Sequence, residues 1–258
     1  MTAPAGLRRF VTGAPARQEQ QAGAERPGSP GAGSQVGGPG VGTEGGGAGV
    51  SRPPAEKCEL CAVEIPAEHG HVADLGHASL LCSCRACYLL FTHSGASERR
   101  QAGAGRQGIK GRYRAVPDRY RSDPGRPLSV ADWDALEIPV GLAFFLRSSG
   151  DDAMTAFYPS PAGATECRLD LQAWDRIAAA HPMMVAAAPD VEAILISRGP
   201  PGTDDVECFL VPVDACYELA GRMRLQWRGF DGGAEARQSI GSFLENVRAR
   251  SRDFSREP

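Results

Sequence analysis

Two C-x-x-C pairs, Cys58–Cys61 in "CELC" and Cys84–Cys87 in "CRAC", constrain this chain more than any other feature. Each spacing lets a tight turn aim two sulfurs at one point. Two such turns supply four thiolates at ~2.3 Å from a tetrahedral centre, a donor set that suits zinc. The same four sulfurs can hold a single iron, as in rubredoxin-like sites, or an iron–sulfur cluster. A segment of about 40 residues is too short to fold on an apolar core alone. A structural metal would supply on the order of 10 kcal/mol of apparent binding free energy. Zinc on Cys58, Cys61, Cys84 and Cys87 is therefore expected, with iron or an iron–sulfur cluster as the alternative.

Other donors lie close by. Cys82 sits in "LLCSC", where a strand would turn it to the same face as Cys84. It reads as a buried apolar thiol, with an alternate ligand role as the second option. His69, His71 and His77 lie between the cysteine pairs in "EHGHVADLGH". Each alone reads as a polar loop residue. His71 is the one expected to replace a cysteine ligand or to donate a hydrogen bond to a sulfur. His93 follows the second pair and is expected to face solvent.

Composition divides the rest of the chain. Residues 1–56 hold 14 glycines and 7 prolines and have almost nothing to bury, so a disordered tail is expected. Within it, "GLRRFV" at 6–11 is a candidate docking segment. Residues 57–95 form the cysteine-rich module and 96–111 a Gly/Ala/Arg-rich linker. An α+β domain is expected over 112–252.

In that domain the patterns are specific. Ser129 is an expected N-cap with Asp132 three residues on, ahead of Trp133 and Leu136. "PVGLAFFLR", "MTAFYP" and "TECRL" read as strands separated by turns. Asp170 would cap a helix with Leu171, Trp174, Ile177 and Ala178 on one face. "VEAILIS" and "VECFLVP" read as a hairpin. Two amphipathic helices follow, one through Val213, Cys216, Tyr217, Ala220 and Met223, the other through Ile240, Phe243, Leu244 and Val247. Hairpins mixed with helices imply an antiparallel sheet packed on one face by helices, preceded by a small zinc-ribbon-like module.

Residues 98–126 carry nine basic and three acidic side chains, with Tyr113 and Tyr120 interleaved among Arg112, Arg114, Arg119 and Arg121. Guanidinium and aromatic groups in this pattern can bind phosphate or nucleic acid. Residues 129–220, however, hold fifteen acidic and four basic side chains. Pairing within the protein or with a protein partner is the expected use of the basic stretch, and nucleic acid is not expected as a partner. Tyr158 and Glu166, in "FYPSPAGATEC", mark a second candidate binding surface or an alternative enzyme site at 158–166. There is no G-x-S-x-G elbow, Walker loop or H-E-x-x-H, so no catalytic residue is assigned. Cys167, Cys208 and Cys216 read as buried thiols. No run approaches the ~18 apolar residues of a membrane span. The opening "MTAPAGLRRF" lacks an apolar signal core, and a cytoplasmic location is expected.

Several ordered blocks carry a resemblance: "LRRF", "CELC", "LLCSCRACYLLF", "GRYRAVPDRY", "IPVGLAFF", "AFYPSPAGATE", "LVPVDACYELAGR" and "WRGFDGG". Together they resemble an actinobacterial family, domain of unknown function 5947 (DUF5947). Members of that family are associated with loci for [NiFe] hydrogenases. The resemblance implies a non-enzymatic accessory whose partner is a hydrogenase component or maturation factor. An iron-containing electron-transfer protein serving the hydrogenase is the alternative it leaves open.

Overall fold

The computed structural model describes residues 56–92, 111–150, 152–167, 169–199, 202–229 and 231–256. The expected tail with its docking segment at 6–11, His93 and nearly all of the 96–111 linker lie outside the described residues. Two sheets organise the rest. In the first, β1 (Gly70–Asp74) pairs with β2 (Ser79–Ser83) on one side and β3 (Tyr113–Ala115) on the other, both antiparallel. Helix α1 (Arg85–Leu89) follows β2 directly.

The second sheet contains β4 (Arg121–Ser122), β5 (Leu142–Arg147), β6 (Met154–Ser160), β7 (Gly163–Cys167), β8 (Glu192–Arg198), β9 (Val206–Pro212) and β10 (Arg252–Asp253). Its order is β10-β4-β9-β8-β5-β6-β7. The pairings are antiparallel except for β10 on β4, which is parallel. The helices are α2 (Val130–Ala135), α3 (Leu171–Ala180), α4 (Pro182–Val185), α5 (Val213–Gln226) and α6 (Gly233–Arg250).

The expectation that helices cover one face of the sheet is corrected: they cover both. Phe144, Leu146, Phe157, Leu195 and Phe209 pack with Leu219, Met223, Phe243 and Val247 of α5 and α6. Their neighbours of opposite parity, Ala143, Phe145, Ala156, Ile194 and Ile196, pack with Trp133, Trp174, Ile177 and Met183 of α2, α3 and α4. The physical reason is written in "LAFFL" and "AILI". A strand with one solvated face alternates polar and apolar residues, whereas a strand buried on both faces is apolar throughout. Leu171 also departs from expectation: the first turn of α3 leaves it 49 % exposed while Trp174 and Ile177 are buried.

The caps are as the local sequence dictates. Ser129 Oγ accepts the Asp132 backbone N–H at 3.1 Å, and the Asp132 carboxylate accepts the Ser129 N–H at 3.0 Å. Asp170 accepts from the N–H groups of Gln172 and Ala173 at the start of α3. Gly163, at φ 99°, turns the chain into β7 where a Cβ would lie 2.7 Å from the Ala220 carbonyl of α5.

The small sheet and the chain leaving β3 share a core with the large sheet. Ala73, Val116 and Tyr120 belong to the same apolar cluster as α5 and α6, with Leu75 and Leu80 packed against it. Among the described residues, no helix is long and apolar enough to cross a membrane.

Candidate metal centre

The first cysteine pair sits in a tight hairpin. Cys58 N–H donates to the Val63 carbonyl at 2.8 Å, and Ala62 N–H donates to the Cys58 carbonyl at 2.7 Å. Ala62 takes a left-handed φ of 63° to close that turn, which brings Cys61 back towards Cys58. The second pair is built by a helix start. Cys84 is the N-cap of α1, and its Sγ accepts the Cys87 backbone N–H at 3.5 Å. One loop and one helix cap thus present two sulfurs each.

The Sγ atoms of Cys58, Cys61, Cys84 and Cys87 all lie within 4.8 Å of one another. Cys61 and Cys84 Sγ are 3.7 Å apart. Four sulfurs at ~2.3 Å from a tetrahedral zinc are separated by ~3.8 Å, so the cluster fits a single ion. Cys58 is 2 % exposed and the other three are more accessible, so the cluster lies at the surface with one buried corner. Burial opposes ionisation of the Cys58 thiol, yet backbone N–H groups of Cys84, Leu60 and Cys61 lower it to about 6. Cys87 is pushed up to about 12, first by burial and then by Cys61, Cys84 and Cys58. The Cys87 thiol therefore resists ionisation in the absence of a cation. A bound cation removes that resistance, which couples ligation to proton release.

The remaining donors form a separate group. One ring nitrogen each of His69 and His71 and the Cys82 Sγ lie within 4.8 Å of one another. His71 stands directly across from Cys82 in the β1–β2 ladder. His71 Nδ1–H donates to Asp214 Oδ2 at 2.8 Å, a bond between β1 and the first turn of α5. Strand β2 ends at Ser83 and Cys84 already caps α1, so the pleat that would align Cys82 with Cys84 stops between them. His77 sits elsewhere, with Nδ1 2.8 Å from Asp74 Oδ2. Gly70 lies between the two clustered histidines because the Tyr88 ring crosses it: a Cβ there would lie 2.7 Å from Tyr88 Cδ2.

Among the described residues of the basic stretch, Arg112, Arg114 and Arg119 form internal ion pairs. Arg112 donates twice to Asp74, each bond 2.7 Å. Arg114 donates to Asp190 Oδ2 at 3.0 Å. Arg119 donates twice, at 2.7 Å, to Glu192, whose side chain is 0 % exposed. Tyr120 is buried, and Arg250 lies over its ring at 4.0 Å while donating to its hydroxyl at 2.9 Å. Arg112 also lies 5.0 Å from the Tyr113 ring centroid. Tyr158 and Glu166 are on β6 and β7, at the far end of the sheet from β4. Cys216 is buried and its thiol is raised by burial. Cys167 and Cys208, expected to be buried, are half-buried, and desolvation pushes the Cys208 thiol up to about 12.

The acidic partners Asp74, Asp190, Glu192 and Asp214 were not singled out by sequence reasoning. Their partners are 38 to 143 residues away, and no local pattern announces such a pairing. The H-x-H spacing of His69 and His71 was the available signal for the second group. It needed the hairpin register to bring in Cys82.

A cleft of about 1340 Å³ opens beside both groups, lined in part by His69, His71, Cys82, Tyr88, Tyr120 and Asp214. Tyr158 and Glu166 do not line it. No curated protein and no solved structure matches the chain. A family of unknown function, DUF5947, matches residues 57–251, which enclose the four clustered cysteines, strands β1 to β9 and helices α1 to α6. By that match over most of its length, the chain belongs to DUF5947.

Proposed function

We propose that this chain is a non-enzymatic accessory protein in which Cys58, Cys61, Cys84 and Cys87 hold a structural zinc ion. The reading extends to its setting: a cytoplasmic protein that binds a component or maturation factor of a [NiFe] hydrogenase, as the sequence blocks resembling its family imply. The observation that carries the metal is the convergence of four sulfurs from two separate turns within 4.8 Å. All four ligand positions are then sulfur, which is the closed coordination of a structural site rather than the open one of a catalytic site. When bound, zinc supplies a cross-link between the first hairpin and α1. The chain's part is to hold the sulfurs: the Cys87 N–H donates to Cys84 Sγ, and the backbone donors at Cys58 favour its thiolate. Tyr158 and Glu166 do not line the cleft, which supports an accessory over an enzyme with its site at 158–166.

The test is elemental analysis and a visible spectrum of the anaerobically purified full chain. Zinc without colour, falling by one equivalent per chain in the double variant Cys58→Ser, Cys61→Ser, is the expected result. Iron with visible absorption would replace the reading with electron transfer. Metal content unchanged in the double variant would overturn the four-cysteine site. Hydrogen uptake by the native host lacking this protein tests the setting: a loss is expected, and unchanged uptake would remove the hydrogenase link.

A further inference from the structure

We propose that His69, His71 and Cys82 form a second transition-metal site, distinct from the four-cysteine cluster, with its open position facing the cleft. Two nitrogens and one sulfur make a donor set for a borderline-soft divalent ion, with zinc as the natural occupant.

Three observations carry it. The first is convergence: one ring nitrogen of each histidine and the Cys82 Sγ lie within 4.8 Å of one another. Ligands around one zinc are ~3.2–3.8 Å apart, so an adjustment of about 1 Å closes the set. The second is how the histidines are held. Each offers Nδ1 to an oxygen acceptor, His69 to the Pro66 carbonyl at 2.9 Å and His71 to Asp214 Oδ2 at 2.8 Å. Protonated Nδ1 leaves the lone pair on Nε2 in both rings. A carbonyl or carboxylate on the second nitrogen is the support that metal-bound histidines use. The third is an orphan. The His69 side chain is only 8 % exposed, and its buried Nε2 has no hydrogen-bond partner among the described residues. Burying such an atom unsatisfied is unfavourable, and a metal–nitrogen bond removes the penalty.

The two centres are neighbours but do not share ligands. Glu59, inside the first C-x-x-C, accepts the Cys82 N–H at 2.7 Å through its carboxylate. Its own N–H donates to the Cys82 carbonyl at 2.9 Å. Cys82 is thereby held by the first knuckle while its thiol sits beside the imidazoles. Three protein ligands leave a fourth position for water or for a small ligand arriving through the cleft, the arrangement of an accessible rather than a closed site.

The experiment is a cobalt(II) titration of the metal-stripped full chain, followed by absorption and by elemental stoichiometry. Two equivalents are expected, with separable four-thiolate and nitrogen–sulfur spectra. His69→Gln and Cys82→Ser should each bind one equivalent and keep the four-thiolate spectrum. Asp214→Asn, which leaves all three donors in place, should weaken only the second equivalent by ~10-fold or more. Two equivalents retained by both His69→Gln and Cys82→Ser would overturn the site. So would a wild-type chain that binds one equivalent with a pure four-thiolate spectrum. A chain whose Cys58→Ser, Cys61→Ser variant still binds one equivalent, lost on adding Cys82→Ser, would support this site even if the four-cysteine reading fails.

Discussion

Asp74 is 4 % exposed and accepts two hydrogen bonds from Arg112 and two more from the N–H groups of Gly76 and His77. One carboxylate thus closes the β1–β2 turn and ties it to the chain entering β3. The Arg112 guanidinium beside it, with help from His77, holds the carboxyl well below the usual range even though burial opposes ionisation. A depressed value means that the stabilisation is fully present above the unfolded carboxyl's pKa of ~3.9. It is lost as pH falls from there through the folded value. Asp74→Asn should therefore destabilise the protein by about 2 kcal/mol at neutral pH, a figure reduced because Arg112 is partly solvated. The stability gap between wild type and variant, measured by urea unfolding, should shrink below about pH 4. A gap that is constant down to pH 2 would show that the carboxylate charge is not what matters. Comparing the two proteins at each pH cancels the effect of acid on the cysteine site, which both share.

At the scale of elements, several local rules were legible before any contact was known. Ser129 and Asp132 specify the start of α2 because their reciprocal bonds need only three residues of chain. Ser129→Ala should lower stability by about 1 kcal/mol, read as a shift in the urea midpoint with unchanged slope. No shift would mean that the buried Trp133 alone holds this helix in place. The apolar runs of β5 and β8 were equally visible, and so was the turn at Gly163. The covering of both sheet faces is written in those same runs, because their lack of polar alternation outweighs the one-sided packing that hairpin topology suggests. The short strands β4 and β10 were not legible at all. Two-residue strands have no period, and β10 exists because the end of α6 returns Arg252 and Asp253 alongside Arg121 and Ser122.

For the whole molecule, the question is how the metal centre relates to the core. The small sheet and the chain leaving β3 join the large core through Ala73, Val116 and Tyr120, and Tyr88 Oη donates to the Val116 carbonyl at 2.9 Å. The hairpin and α1 that carry the four sulfurs have much less behind them: Cys58 and Ile65 are buried, while Leu89 and Leu90 are exposed. Removing the metal, or replacing Cys84 by Ala, should therefore release residues 57–92 first and leave β5, β6, β8 and β9 protected. Hydrogen exchange resolved along the chain measures this directly. Equal protection of 57–92 with and without metal would make the metal dispensable for the fold.

The sequence alone determined the four-cysteine cluster, the caps and the strand and helix core, because each depends on spacing within a few residues or on a repeating apolar pattern. Tertiary structure alone decided which charges pair and which donors meet. Arg119 finds Glu192 and His71 finds Asp214 across 73 and 143 residues. His69 and Cys82 come together only because the β1–β2 register sets His71 opposite Cys82. Short-range spacing is encoded in the chain. Long-range juxtaposition is set by how the two sheets pack around their shared core.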